Sequence, residues 1–358
     1  MTRRAVLLSY RLGGTDGVSV EATKWEWALG ELGFAVRRVA GEIPDRRPDD
    51  VVLPWLMYAE DVAPTPAELT AALARADLVV VENLCSLPLN ADAARATAAV
   101  LDQLPDTRVA FHHHDLPWQR DEFAEITDLP PERPGSLHVT INERSRQELA
   151  DRGIEARVVR NAFDVDPPPG ERDATRKAFG FEPDDLVVLQ PTRAIPRKDV
   201  PAGVHFAGAL AHELPQRTVR YWLTGPAEDS YETALERALA DPTVPVTVGR
   251  AGRAADAYAA ADVIVFPSTW EGFGNPVVES VIARRPIAVG RYPVLDELVA
   301  LGLHLFSVDA PRELATWLAT PDHAQLDENL EVARRNLALA DLPARLEAAF
   351  AAVGWSRW

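Results

Sequence analysis

The sequence predicts a doubly wound α/β protein with two parallel-sheet domains in series, and three observations predict it. Short continuous apolar runs recur with helical patterns between most of them, the signature of buried parallel strands joined by crossover helices. The alternation is broken once, at residues 164–173 (Asp-Val-Asp-Pro-Pro-Pro-Gly-Glu-Arg-Asp), a proline-rich polar stretch without periodicity, and then restarts. The 358 residues are also about the length of two ordinary domains.

In chain order, the first half reads as strands at residues 5–10, 34–39, 51–56, 78–81, 109–111 and 137–141. A glycine-rich turn (Gly13, Gly14, Gly17) follows the first strand. The next stretch places Val18, Trp25, Ala28, Leu29 and Leu32 at spacings that can share one helical face. The second half reads as strands at 186–190, 219–224, 246–248, 263–266 and 287–289, with helices at about 200–213, 230–240, 254–261 and 276–284. The C-terminal stretch is helical and residues 342–353 are amphipathic. The predicted division is 1–165, 166–340 and a C-terminal helical segment, 341–358. Two such domains face each other across a cleft at the carboxyl ends of their strands, so the chemistry is expected in the loops that follow the strands.

Composition narrows the function. Charged residues make up 25% and hydrophobic residues 47%, which excludes a mainly disordered chain, a collagen-like fibre and a coiled-coil rod. The net charge of −17 argues against non-specific nucleic-acid binding and against broad docking on anionic lipid. A single cysteine, Cys85, excludes an intramolecular disulfide and a cysteine-based zinc site. No apolar run reaches the length of a membrane span, and the apolar stretch at 5–8 after Arg3 and Arg4 is too short for a signal peptide, so the expectation is a soluble, cytoplasmic protein. Only three lysines occur, Lys24, Lys177 and Lys198, so a lysine at a special place carries more information than usual.

The richest segment is residues 266–280, Phe-Pro-Ser-Thr-Trp-Glu-Gly-Phe-Gly-Asn-Pro-Val-Val-Glu-Ser. A strand ends in a short loop carrying Glu271, Gly272 and Gly274, and Pro276 sits where a helix begins, a position that costs no hydrogen bond. Free amides and the positive end of the helix dipole then form an anion site, and the glycines allow close approach of backbone to ligand. Glu279, eight residues after Glu271, can accept two hydrogen bonds from a vicinal diol such as a ribose. A plain strand–turn–helix with one solvated and one capping glutamate fits the same residues.

The Glu–x7–Glu pattern in Pro-Ser-x-x-Glu-Gly-Phe-Gly resembles the signature of retaining glycosyltransferases of family 4 (glycosyl transferases group 1), which have the GT-B fold. Further segments are similar in the family's order over roughly residues 5–300. Gln190-Pro-Thr-Arg-Ala-Ile-Pro-Arg-Lys198 resembles its Arg–x4–Lys segment, Arg160-Asn-Ala-Phe-Asp164 its Asn-Gly-Val-Asp segment, Gly13-Gly14 its first-strand glycine loop, and His112-His-His-Asp115 its histidine-bearing acceptor-side loop. The chain departs from the pattern at Ala162, where the family has glycine, and in its triple histidine. Aligning the His-Asp pair selects His114.

The resemblance implies a GT-B fold of two Rossmann-like domains facing a central cleft, with the C-terminal helix crossing back onto the first domain and closure of the two over the substrates. It implies transfer of a hexose, with retention, from a nucleotide diphosphate sugar (GDP-mannose or UDP-glucose type) to a hydroxyl of a carbohydrate or small-molecule acceptor. The catalytic residues it implies are Arg193, Lys198, Glu271 and His114. Arg193 and Lys198 would stabilise charge on the leaving diphosphate and Glu271 would bind the hexose. Gly13, Gly14, Gly272, Phe273, Gly274, Asn275 and Glu279 would bind the donor, Glu279 at the ribose. Asn83, His113, Asp115, Trp118 and Asn161 would stand on the acceptor side. A donor phosphate oxygen can serve as base, so no glycosidase-type carboxylate pair is assigned. No cofactor or metal is expected: Asp164-Val165-Asp166 has an Asp-x-Asp spacing but lies in the linker. Arg197 is set aside as a neighbouring cation. The competing readings are a nucleotide-sugar epimerase, a phosphorylase, which needs a further lysine for its cofactor, and a non-catalytic nucleotide-sugar-binding protein. An NAD dehydrogenase is opposed by the glycine spacing.

Overall fold

The structure, a computed structural model, describes residues 2–58, 62–228 and 230–355. The last three residues of the segment expected to close the chain, 356–358, lie outside it. The described residues of Met1–Ala162 and Leu339–Trp358 form one compact unit, and those of Phe163–Ala338 form a second.

The first unit is built on seven strands: β1 (Arg3–Arg11), β2 (Phe34–Glu42), β3 (Val51–Val52), β4 (Leu78–Glu82), β5 (Arg108–His113), β6 (Leu137–Thr140) and β7 (Ala156–Val158). Every pairing is parallel and the order is β3-β2-β1-β4-β5-β6-β7. Its helices are α1 (Gly17–Glu31), α2 (Pro66–Leu73), α3 (Ala91–Asp102) and α4 (Glu143–Ala150). The period of two in β1 feeds two cores. Ala5 and Leu7 pack with Trp25 and Leu29 of α1 on one face, whereas Val6 and Leu8 pack with Leu69 and Leu73 of α2 and Val100 of α3 on the other. Side-chain caps fix where the helices start: Asp16, Asn90 and Asn142 accept from backbone amides at the heads of α1, α3 and α4.

The apolar run at 51–56 departs from expectation. Only Val51–Val52 pairs as strand, and Pro54–Leu56 forms a 3-10 turn. Pro54 has no N–H for a ladder, so pairing stops before it while Trp55 and Leu56 still fill the core.

The second unit carries six strands, β8 (Leu186–Gln190), β9 (Val219–Leu223), β10 (Val246–Val248), β11 (Val263–Phe266), β12 (Ile287–Val289) and β13 (Phe306–Ser307), in the parallel order β10-β9-β8-β11-β12-β13. Its helices are α5 (Arg172–Phe179), α6 (Val200–Glu213), α7 (Glu232–Ala238), α8 (Ala254–Ala260), α9 (Asn275–Ile282), α10 (Leu295–Ala300), α11 (Pro311–Ala319) and α12 (His323–Leu337). In both sheets the first strand of the unit sits in the middle and the order reverses beside it, between β1 and β4 and between β8 and β11. The loops leaving those strands flank the switch point where open α/β sheets take ligands.

The last helix, α13 (Leu342–Ala352), belongs to the first unit: Leu342, Leu346 and Phe350 join Trp25 and Leu29 in one buried cluster. No helix among the described residues is long and apolar enough to cross a membrane. Since Leu346 is fully buried, Leu346→Ala is expected to cost about 2–5 kcal/mol in the transition of the first unit, followed by chemical denaturation. The neighbouring exposed Glu347→Ala should stay within about 0.5 kcal/mol.

Candidate active site

In the second unit, two loops at the carboxyl edge of the sheet are tied together. After β8 the chain runs through Arg193 to a 3-10 turn at Pro196–Lys198. The buried Gln190 side chain braces this loop: it accepts from the Tyr221 hydroxyl (2.7 Å) and donates to the Lys198 carbonyl (2.9 Å). After β11 the chain runs through Glu271 into α9, and the Thr269 amide donates to the Arg197 carbonyl (2.9 Å). The side chains then meet. Lys198 Nζ donates to Glu271 Oε1 and lies 4.9 Å from the Phe266 ring centroid, while Arg197 Nη1 donates to Glu271 Oε2 (3.0 Å) and to the Trp270 carbonyl (3.1 Å).

Burial works against both charges of that pair. It would raise the Glu271 pKa, but the Lys198 and Arg197 charges outweigh it and hold the carboxyl below its ordinary value. Burial also lowers the Lys198 ammonium to about 8, assisted by Arg197 and opposed by Glu271. α9 begins at Gly274 (φ +101°) with Pro276 in its first turn. A Cβ at Gly274 would lie 2.2 Å from Tyr292 Oη, which comes from the loop after β12, is buried and has no hydrogen-bond partner. Phe273 is buried against Phe163, with ring centroids 6.2 Å apart. Glu279, half-buried, accepts from the Tyr258 hydroxyl (2.7 Å). Arg193 stands apart from this group: it pairs with Glu228 at 2.6 Å, and the two side chains are 40% and 41% exposed.

In the first unit the loops after β1, β4 and β5 lie at one edge of the sheet. Gly13 has φ +73°, and a Cβ there would fall 1.7 Å from Asp45 Oδ1, a carboxylate that Arg38 also grips. Gly14 follows at the head of α1. Asn83, with φ +58°, accepts on Oδ1 from the His114 and Asp115 amides (3.0 and 3.2 Å) and so joins two of the loops. Asp115 also pairs with Arg120 (3.3 Å). His113 turns into the core, bonded to Ser86 through Nδ1 (2.5 Å) and to His138 through Nε2 (2.9 Å). Trp118 donates to Glu148 (2.9 Å), with the Arg152 guanidinium 3.7 Å from its ring centroid, and Asn161 is buried.

Glu82, at the end of β4, was not singled out by the sequence. Its Oε2 faces His112 Nδ1 (2.7 Å) and His114 Nε2 (3.2 Å). Burial would raise its pKa, but its interactions with His112 and His114 bring it down to about 2. Among the described residues, these three are the group whose donor atoms lie within 4.8 Å of one another, as a shared ion would require. Both ring nitrogens bond the same carboxylate oxygen, Oε2. Arg197 is the other residue the sequence passed over. One signal for it was available: a second cation directly beside Lys198 in the same loop.

Two parallel sheets, each with charged loops at its switch point, define a protein of GT-B fold. Its likeness to a solved structure covers nearly the whole chain: Anabaena Alr3699/HepE in complex with UDP-glucose aligns over 97% of this chain and 99% of that one, with a TM-score of 0.74 at 17% identity. Residues 195–320, which hold Lys198, Glu271 and α9, match the family described as "Glycosyl transferases group 1". The mannosylglucosylglycerate synthase of Thermotoga maritima is 27% identical, covering 95% of this chain and 97% of that protein. The enzyme of the same name from Petrotoga mobilis is 26% identical, over 86% and 87%. Over residues 195–320 the chain is thus similar to group 1 glycosyltransferases, and over nearly its whole length it has the GT-B fold.

The loop geometry makes Gly274 testable. Gly274→Ala should lower stability by about 1–3 kcal/mol in thermal unfolding, from backbone strain and the clash with Tyr292. Tyr292→Phe alone should be close to neutral because its hydroxyl has no partner to lose. The double variant should recover only the clash and not the strain.

Proposed function

We propose that the protein transfers a hexose, with retention of anomeric configuration, from a nucleotide diphosphate sugar to a hydroxyl of a small carbohydrate acceptor. The observation that carries this is the buried Glu271 carboxylate locked to Lys198 at the head of α9. That arrangement offers a hydroxyl-binding anion and a diphosphate-binding cation side by side. An ammonium has three N–H groups, so Lys198 can keep Glu271 and still donate to a phosphate oxygen. The head of α9 adds the positive end of its dipole. Arg193 is held only by a surface pair, which contributes little, so exchanging Glu228 for a phosphate costs little. Glu279 would take the ribose, His114 would meet the donor sugar, and Asn83 and Asp115 would border the acceptor.

The names of the two relatives that span most of the chain favour a mannosyl donor, GDP-mannose before UDP-glucose, and an acceptor that is a small glucose-containing glycoside. Bond breaking at the anomeric carbon leaves negative charge on the diphosphate, and its neutralisation is the main catalytic task. A donor phosphate oxygen then takes the acceptor proton on the face the leaving group departs from. Neither a metal nor an organic cofactor enters this scheme.

In a thermal-shift panel, the correct nucleotide sugar should stabilise the protein by about 2.7 kcal/mol at a hundredfold excess over its Kd, and other nucleotides less. Lys198→Ala is expected to reduce kcat by about 10²–10³-fold at saturating donor. Turnover near that of the unmodified protein would remove Lys198 from the mechanism, and activity lost to a chelator and restored by Mg²⁺ would overturn the metal-free scheme.

A further inference from the structure

A histidine beside a reacting sugar is a different group as imidazole and as imidazolium: only the cation donates from both ring nitrogens. The side chains around His114 decide which form it takes. Glu82 is fully buried at the end of β4, and both rings that bond it come from the neighbouring β5 end, where residues 112 and 114 fall on one side of the extended chain. Both contacts fall on the same oxygen, Oε2, from His112 Nδ1 at 2.7 Å and His114 Nε2 at 3.2 Å.

The two rings are not equivalent. His112 is packed between the Trp25 indole (ring centroids 4.2 Å apart) and His114 (4.4 Å), and its Nε2 is buried without a partner. A proton on that nitrogen would have no acceptor, so His112 is neutral, with its single proton on Nδ1 facing Glu82. The negative charge of Glu82 is left to His114. Glu21 of α1, itself bonded to Lys24, adds to the same field, as does the adjacent Asp115. Thus the groups around His114 are the Glu82 and Asp115 carboxylates, one neutral ring, and Glu21, whose own pKa burial raises and which is paired with Lys24.

We propose that Glu82 is a positioning residue that keeps His114 doubly protonated, with Nε2–H committed to the carboxylate and Nδ1–H left as the donor for substrate. In the transfer reaction proposed above, on which this rests, His114 acts as a cation beside the donor sugar. The directions of the shifts agree: burial alone would lower the His114 pKa, but Glu82 by hydrogen bond and charge, with Glu21 and Asp115, raises it, whereas His112 stays lowered by burial. With its pKa raised, His114 keeps its proton to higher pH than an ordinary imidazole and loses it as pH rises through the raised value.

The test is histidine NMR on the full chain, with the His114 signal identified by its loss in His114→Asn. In the unmodified protein the His114 midpoint should lie above 6.5. In Glu82→Gln, which keeps the shape and removes the charge, it should fall by about one pH unit or more. The alkaline fall of kcat/KM should move down with it, and Glu82→Asp, which restores the charge, should bring both partly back. A role for Glu82 in folding alone would not move a pH midpoint. A midpoint at or below 6.5 in the unmodified protein overturns the proposal without any variant, so it stays testable if Glu82→Gln fails to fold. An unmoved midpoint in Glu82→Gln overturns it, and so does a moved midpoint with an unmoved activity profile. If the midpoint moves and no nucleotide sugar is ever consumed by the unmodified protein, the transfer reaction fails and the positioning role of Glu82 stands, because the NMR readout needs no substrate.

Discussion

The Glu271 carboxylate has to be buried and charged at once, and the ligand end of the second unit is arranged around that requirement. An isolated carboxylate in such a place costs several kcal/mol and would take up a proton instead. Lys198 and Arg197, one on each oxygen, keep it ionised. Their loop is in turn held by the buried Gln190 amide and by the Thr269 amide. Removing one partner leaves the other as an uncompensated buried charge, which is why a pair of this kind fixes geometry more than it adds stability. Geometry is what charge stabilisation at a leaving group demands, since a dipole or cation already in place need not reorganise during the reaction.

Much of the fold was legible because buried parallel strands write themselves as continuous apolar runs. The runs at 186–190, 246–248, 263–266 and 287–289 coincide with β8, β10, β11 and β12. The two-residue pairing of β13 leaves no run to read, and the 51–56 run was cut to the two residues of β3 by a missing proline donor rather than by polarity. At the site, Lys198 and Glu271 were legible as partners of a ligand but not of each other, because a contact between residues 73 positions apart has no local signature. Glu82 was invisible for a related reason. It closes an apolar strand, where a single acid reads as a solvated edge, and only the register of β4 against β5 brings His112 opposite it.

The choice between Arg193 and Arg197 shows the same limit at closer range. The family resemblance selected Arg193 as a ligand of the diphosphate, and the fold gives the grip on Glu271 to Arg197. In a 3-10 turn of three residues per turn, Arg197 and Lys198 adjoin but diverge, and the turn directs one to each carboxylate oxygen. Arg193 precedes that turn and sits in a half-exposed surface pair. A cation that serves a ligand is better left weakly held than locked, because a strong internal partner competes with the ligand for the same donors.

Each unit thus solves one electrostatic problem in the same way. A single carboxylate is buried at or just beyond the end of a central strand, Glu82 on β4 and Glu271 after β11. Each is answered by two donors close together in sequence on a neighbouring strand or the loop leaving it, His112 and His114 on one side and Arg197 and Lys198 on the other. Adjacent parallel strands present their carboxyl-end residues at one level, so an acid on one can meet bases on the next without a long connection. The result in both units is a cation whose position is set by a buried anion behind it. Desolvation makes such anions costly, and it also keeps their fields unscreened by water, so that His114 and Lys198 are governed by their partners rather than by bulk solvent.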